Sequence, residues 1–195
     1  MPEDDSLFTI TEAHLDSGMR GIPVGTCRTS FVDPIKGVHY VGYPVEDLVN
    51  LEEEDVIYLL MNKRLPTEDE SKTFRDELVR RGENIPTGAL RVLESLTPGS
   101  GHPMDWLSIG IMALGTAETT GDTRGDAMNL IARMPELMAR IFRLRNGKQE
   151  RLRPRKPELG LVENFVHMMG YEGERAVRVT RVLRFFFILH MDHGG

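Results

Sequence analysis

From Pro44 to the end of the chain, apolar side chains recur three and four residues apart, the spacing of one face of a helix. Only two short stretches near the start depart from it. Thr26 to Val32 (TCRTSFV) and Val38 to Val41 (VHYV) are β-branched and aromatic, and Asp33-Pro34-Ile35-Lys36-Gly37 between them is a turn sequence. The pattern predicts an antiparallel hairpin, the only sheet expected.

Short helices are predicted over Val45 to Asn50 and Glu54 to Asn62. Thr67 and Glu70 form a capping box before Phe74, Leu78 and Val79, and Gly82 supplies a stop. Pro86 opens a helix through Leu96, which the Pro98-Gly99-Ser100-Gly101 break ends. Pro103 to Ala117 and Asp126 to Asn146 follow, with Pro135 expected to kink or divide the second. Leu159 to Met169 and Glu172 to His190 complete a mainly α fold with a small N-terminal β-hairpin. Residues 1–20 carry little periodicity and read as a lead-in, ending in Gly18-Met19-Arg20-Gly21.

Composition narrows the class. The chain has 195 residues, 40% hydrophobic and 28% charged, enough to bury a core as one domain or slightly more. The densest apolar run, Phe185 to Leu189, is far short of the ~18 residues of a membrane span. Cys27 is the single cysteine, which excludes an intrachain disulfide and a cysteine zinc cluster. A net charge of −6 argues against nucleic acid as partner. The acidic start, Met-Pro-Glu-Asp-Asp, gives no sign of an export leader, so a cytoplasmic protein is expected.

Several segments carry possible chemistry. The helix 103–117 (PMDWLSIGIMALGTA) sets Ser108, Gly110, Ala113, Gly115 and Ala117 among large apolar residues. It should be covered on most sides, either by its own chain or partly by a second subunit. Arg140 to Lys156 holds eight bases against Glu150 alone. That stretch reads as a solvated linker, with anion contact as the sharper alternative. His190 and His193 lie three apart around Asp192; no further ligands are evident for a metal. With the backbone of Gly194 and Gly195 they could instead hold a carboxylate. His102 suits a helix cap before Pro103. Arg20 sits either in a plain turn or beside a phosphate that the flanking glycines let approach.

Together, the segments GMRGIPVGTCRTSFVDPIKGVHYVGYPVEDL (18–48), EDVIYLLMNKRLPTEDE (54–70), HPMDWLSIGIMALG (102–115), ENFVHMMGY (163–171) and ILHMDHGG (188–195) resemble the amino-terminal part of citrate synthase, in order and spacing. The resemblance implies that residues 21–195 are the first part of the large helical domain, with the small domain absent. It implies a homodimer through the helices near 103–117 and 126–146. It also implies a Claisen-type condensation of acetyl-CoA with oxaloacetate, without metal or organic cofactor. His193 matches the oxaloacetate-binding histidine and Arg20 the arginine on CoA phosphate. The base aspartate and the other catalytic histidines belong beyond Asp-His-Gly-Gly, so no catalytic residue is expected within these residues, and the piece alone should be inactive. 2-Methylcitrate synthase, or a non-catalytic dimerisation module, are the alternatives.

Overall fold

The computed structural model describes residues 8–18, 20–22, 25–147 and 152–193. Three antiparallel strands, β1 (Ser30–Asp33), β2 (Gly37–Tyr40) and β3 (Tyr43–Pro44), form one sheet in that order. The β1–β2 turn is closed by the Asp33 carboxylate, which accepts the N–H groups of Ile35 and Lys36 at 2.7 Å each. These bonds hold its pKa below the ordinary aspartate value. The third strand was not expected. It is reached through Val41 and Gly42, both at positive φ (51° and 86°), as a two-residue hairpin loop requires. Valine is a poor residue for that conformation, so the turn carries no Asn-Gly type of signal.

Eight helices follow among the described residues: α1 (Val45–Leu48), α2 (Glu53–Asn62), α3 (Glu68–Arg81), α4 (Thr87–Glu94), α5 (Pro103–Glu118), α6 (Thr123–Arg145), α7 (Leu161–Met168) and α8 (Gly173–Leu189). Their starts follow local chemistry. Thr67 Oγ1 accepts the Glu70 N–H at 3.4 Å, and Glu70 accepts the Thr67 N–H at 2.9 Å. At α5, His102 Nδ1 accepts the Met104 N–H at 3.2 Å and Asp105 accepts that of His102 at 2.8 Å, the cap expected of this histidine. Gly82 ends α3, though not through a left-handed turn, since its φ is −83°. A Cβ there would lie 2.7 Å from the Ala132 carbonyl oxygen and collide with the Arg155 guanidinium. Close packing, not backbone freedom, requires the glycine.

Helix α6 runs unbroken through Pro135, so the chain is not divided there. Proline removes the N–H that would serve the Ile131 carbonyl. The neighbouring Ala132 carbonyl accepts Arg155 Nη1 at 2.7 Å, and Pro135 is buried among packed helices. The helix continues through the proline with that residue buried in the packing.

Three apolar clusters make the core. Leu93, Trp106, Leu114, Leu137 and Ile141 join α4, α5 and α6. Phe74, Leu78, Met128, Ala132 and Leu161 join α3, α6 and α7. Tyr40, Leu48, Val56, Leu59 and Ile188 seat the sheet against α1, α2 and the end of α8. Helix α5 is covered on one face rather than on most. Gly110 lies inside, where an added Cβ would come 2.9 Å from Leu137 Cδ1, while Met104, Ser108, Met112 and Gly115 are exposed. The small residue at 110 therefore serves the α5–α6 contact within the chain. No helix among the described residues is long and apolar enough to cross a membrane.

Candidate functional site

The end of α8 is where the sequence places its substrate histidine. Ile188 is fully buried and anchors the last turn, whereas Phe185, Phe186 and Phe187 face outward. Tyr40 in β2, also fully buried, donates its hydroxyl to the Ile188 carbonyl at 2.8 Å. The Asp192 N–H approaches the same hydroxyl at 3.5 Å. Burial raises the Tyr40 pKa, and the phenol stays a neutral donor. The sheet thereby holds the turn that carries Asp192 and His193. Nothing in the sequence pattern singled out this tyrosine.

His193 is exposed, and its N–H donates to the Asp192 carboxylate at 2.9 Å. His190 is not brought into a shared ligand set with it. The His190 ring stacks on Phe186 with centroids 5.8 Å apart, and its Nδ1 lies 2.7 Å from the Phe186 carbonyl oxygen. Gly194 and Gly195, on which the carboxylate-binding reading also rests, lie outside the described residues. Arg20 is exposed in a turn, its N–H donating to the Ser17 carbonyl at 3.4 Å. Met19, Pro23 and Val24 around it lie outside the described residues.

Beneath α8 lies a polar core that sequence reasoning missed. Glu53 and Glu54 are each 2% exposed at the start of α2. Glu53 accepts the Val162 N–H at 2.8 Å and Arg184 Nε at 2.6 Å. Glu52 pairs with Arg184 Nη2 at 2.6 Å. Glu54 accepts the Leu161 N–H at 2.7 Å through one oxygen, while the other has no hydrogen-bond partner. Burial, and then the neighbouring Glu53, raise its pKa to about 7. Two carboxylates thus sit at the N-terminus of α7, where the helix dipole favours negative charge.

Ligand atoms of Glu52, Glu53 and Glu54 all lie within 4.8 Å of one another, the only such convergence of His, Cys, Asp or Glu among the described residues. Arg184 and the two α7 amides already occupy all of their oxygens but one of Glu54, so the cluster ties α2, α7 and α8 together as structure. The available signal was Arg184, a charged residue next to the apolar run 185–189.

The basic stretch is not simply solvated. Arg140 pairs with Glu136 at 2.7 Å, and Arg153 with Glu172 at 2.8 Å. Arg155 donates to the Gly82 carbonyl at 2.9 Å and the Ala132 carbonyl at 2.7 Å. Acids and backbone carbonyls on α3, α6 and the start of α8 draw these cations in. Lys148 and Arg151 lie outside the described residues.

The molecule is therefore a mainly helical protein with a small N-terminal antiparallel sheet that braces a His-containing turn at the end of its last long helix. The family model for citrate synthase, C-terminal domain, matches residues 18–195, and the chain belongs to the citrate synthase family. Citrate synthase 2 of Bacillus subtilis is 30% identical over 184 residues, covering 90% of this chain and 48% of that protein. The probable mitochondrial citrate synthase of Leishmania braziliensis is 26% identical, covering 95% of this chain and 45% of that one. Among solved structures, the crystal structure of citrate synthase from Thermotoga maritima matches with a TM-score of 0.76 at 29% identity, over 91% of this chain and 46% of that one. The Thermoplasma acidophilum enzyme, solved as a ternary complex with carboxymethyl coenzyme A and oxaloacetate, matches in fold with a TM-score of 0.78 at 24% identity, over 91% of this chain and 47% of that one. The chain spans about half the length of the curated relatives it matches.

Proposed function

We propose that these residues are the amino-terminal part of a citrate synthase that condenses acetyl-CoA with oxaloacetate and releases citrate and CoA. The observation that carries the reading is the family match across residues 18–195, which includes the His190-Met191-Asp192-His193 segment at the end of α8. In this reading His193 donates a hydrogen bond from its ring to oxaloacetate and orients it, its backbone being tied to the Asp192 carboxylate at the end of α8. Arg20 contacts the CoA phosphate through a charge-assisted bond. No metal or organic cofactor takes part.

The assay is oxaloacetate-dependent release of CoA thiol from acetyl-CoA. The complete gene product should turn over, and His193→Ala should impair oxaloacetate use strongly while His193→Gln retains part. Arg20→Ala should raise the KM for acetyl-CoA and leave that for oxaloacetate nearly unchanged. Absence of oxaloacetate-dependent thiol release, or a clear preference for propionyl-CoA, would overturn the assignment. The 195 residues alone hold His193 and Arg20 but none of the catalytic residues that the family resemblance implies, and should show no release above background; measurable turnover would refute that.

Assembly as a homodimer forms part of the same proposal. The outer face of α5, with Met112 69% exposed, supports packing against a second copy. Met112→Asp should then separate subunits while leaving the monomer folded, because it lies on the uncovered face. An unchanged mass by light scattering would count against α5 as the contact.

A further inference from the structure

We propose that the cleft between α3, α4, α6 and the extended segment 152–157 binds a small organic phosphate. The cleft measures about 560 Å³, within the range of small-molecule sites, and shares no residue with the α8 turn. Its cations are unevenly matched. Arg140 and Arg153 are neutralised by Glu136 and Glu172. Arg155 is not: it is half-buried, bonds only to the Gly82 and Ala132 carbonyls, and its Nη2 is buried without a hydrogen-bond partner. Arg184 faces Glu52 and Glu53, Arg133 faces Glu118, and Arg81 faces Glu77; Arg145 also donates to a carbonyl, that of Gly101, but does not line this cleft.

A guanidinium held out of water with neutral acceptors retains an uncompensated charge, which an anion nearby relieves. Burial lowers the Arg155 pKa, and Glu136 and Glu83 offset this only in part. Lys156 lines the same cleft, is exposed and takes part in no ion pair, and Arg143 lines it from α6. The lining acids outside the ion pairs, Glu83 and Glu94, are exposed to solvent, where their repulsion is screened. Leu90, Leu144 and Leu152 supply an apolar wall, so the fitting ligand carries an organic body as well as its charged group. A doubly charged phosphate suits two unmatched cations better than a single carboxylate does.

The probe is phenyl phosphate, titrated into the 195-residue chain at low salt and followed by amide NMR shifts. Saturable shifts should cluster on residues 83–94, 140–144 and 152–157, and benzyl alcohol should not reproduce them. Lys156→Glu changes an exposed side chain and should weaken binding roughly tenfold, the scale of one charge-assisted contact. Arg155→Gln should abolish it, with thermal denaturation run alongside; should that variant not fold, Lys156→Glu decides. Shifts that are absent, scattered over other basic surface, equal for benzyl alcohol, or unaffected by Lys156→Glu would each overturn the proposal.

Discussion

Two helix starts in this molecule meet the same requirement in opposite ways. At α3, Thr67 and Glu70 exchange hydrogen bonds across three residues, and Arg64 pairs with Glu70 on the surface. That pairing holds the Glu70 pKa well below the usual carboxylate range. At α7, the cap residue Gly160 has no side chain to offer, and only the local Glu163 returns to its N–H, at 2.9 Å. The next two N–H groups, of Leu161 and Val162, are taken by Glu54 and Glu53, which lie 107 and 109 residues earlier. Every helix start leaves such donors unsatisfied, and a nearby oxygen of any origin can accept them. One solution is local and wet, the other distant and dry. The dry one is harder to replace.

The largest expected effect breaks the distant cap. Glu53→Ala removes the acceptor for Val162 and the more deeply buried of the two carboxylates on Arg184 in one step, leaving a partly buried guanidinium paired only with Glu52. Loss of one partner from a buried pair costs roughly 3–5 kcal/mol. Urea denaturation of the chain should show a loss of that order, and a shift below 1 kcal/mol, on the scale of an exposed ion pair, would remove the cluster from its place at the junction of α2, α7 and α8.

The next effect separates the two carboxylates of that cap. Glu54 has its pKa raised from 4.5 to about 7, so between those values the folded protein keeps a proton that the unfolded chain has released. Stability must then fall as pH rises through that window, by on the order of 3 kcal/mol for a shift of this size. Glu54→Gln retains an oxygen for the Leu161 N–H but cannot ionise. Denaturation midpoints measured from pH 4.5 to pH 7.5 should therefore fall less steeply for the variant than for the parent chain. Parallel profiles would mean that Glu54 is not the group responsible.

The same division explains what the sequence disclosed. The helices, their caps at Thr67 and His102 and the β1–β2 turn rest on bonds between near neighbours, and these were legible. Helix α6 surviving Pro135 was not, because the helices that pack around the buried proline come from distant parts of the chain. Nor was the inward placement of Gly110, since a small residue serves a contact within a chain or between chains equally well. At the candidate site, His193 was nominated through a short motif. Tyr40, which braces the turn before it, acts over 148 residues and left no local trace.

The smallest effect tests the local cap. Thr67→Ala removes the oxygen that accepts the Glu70 N–H but leaves Glu70 free to accept that of Thr67 and to pair with Arg64. N-cap losses of this kind cost typically ~1 kcal/mol, and the 3.4 Å length of the Thr67 bond places this one at the lower end. Water can reach the freed N–H, so no buried donor is stranded. The loss should also be the same across pH 5 to pH 7.5, because the side chain removed does not titrate and Glu70 remains ionised throughout. Urea midpoints at the two ends of that range give the comparison directly. A Thr67→Ala loss as large as that of Glu53→Ala would show that the local cap is coupled to the buried core, and the contrast between the two helix starts would fail.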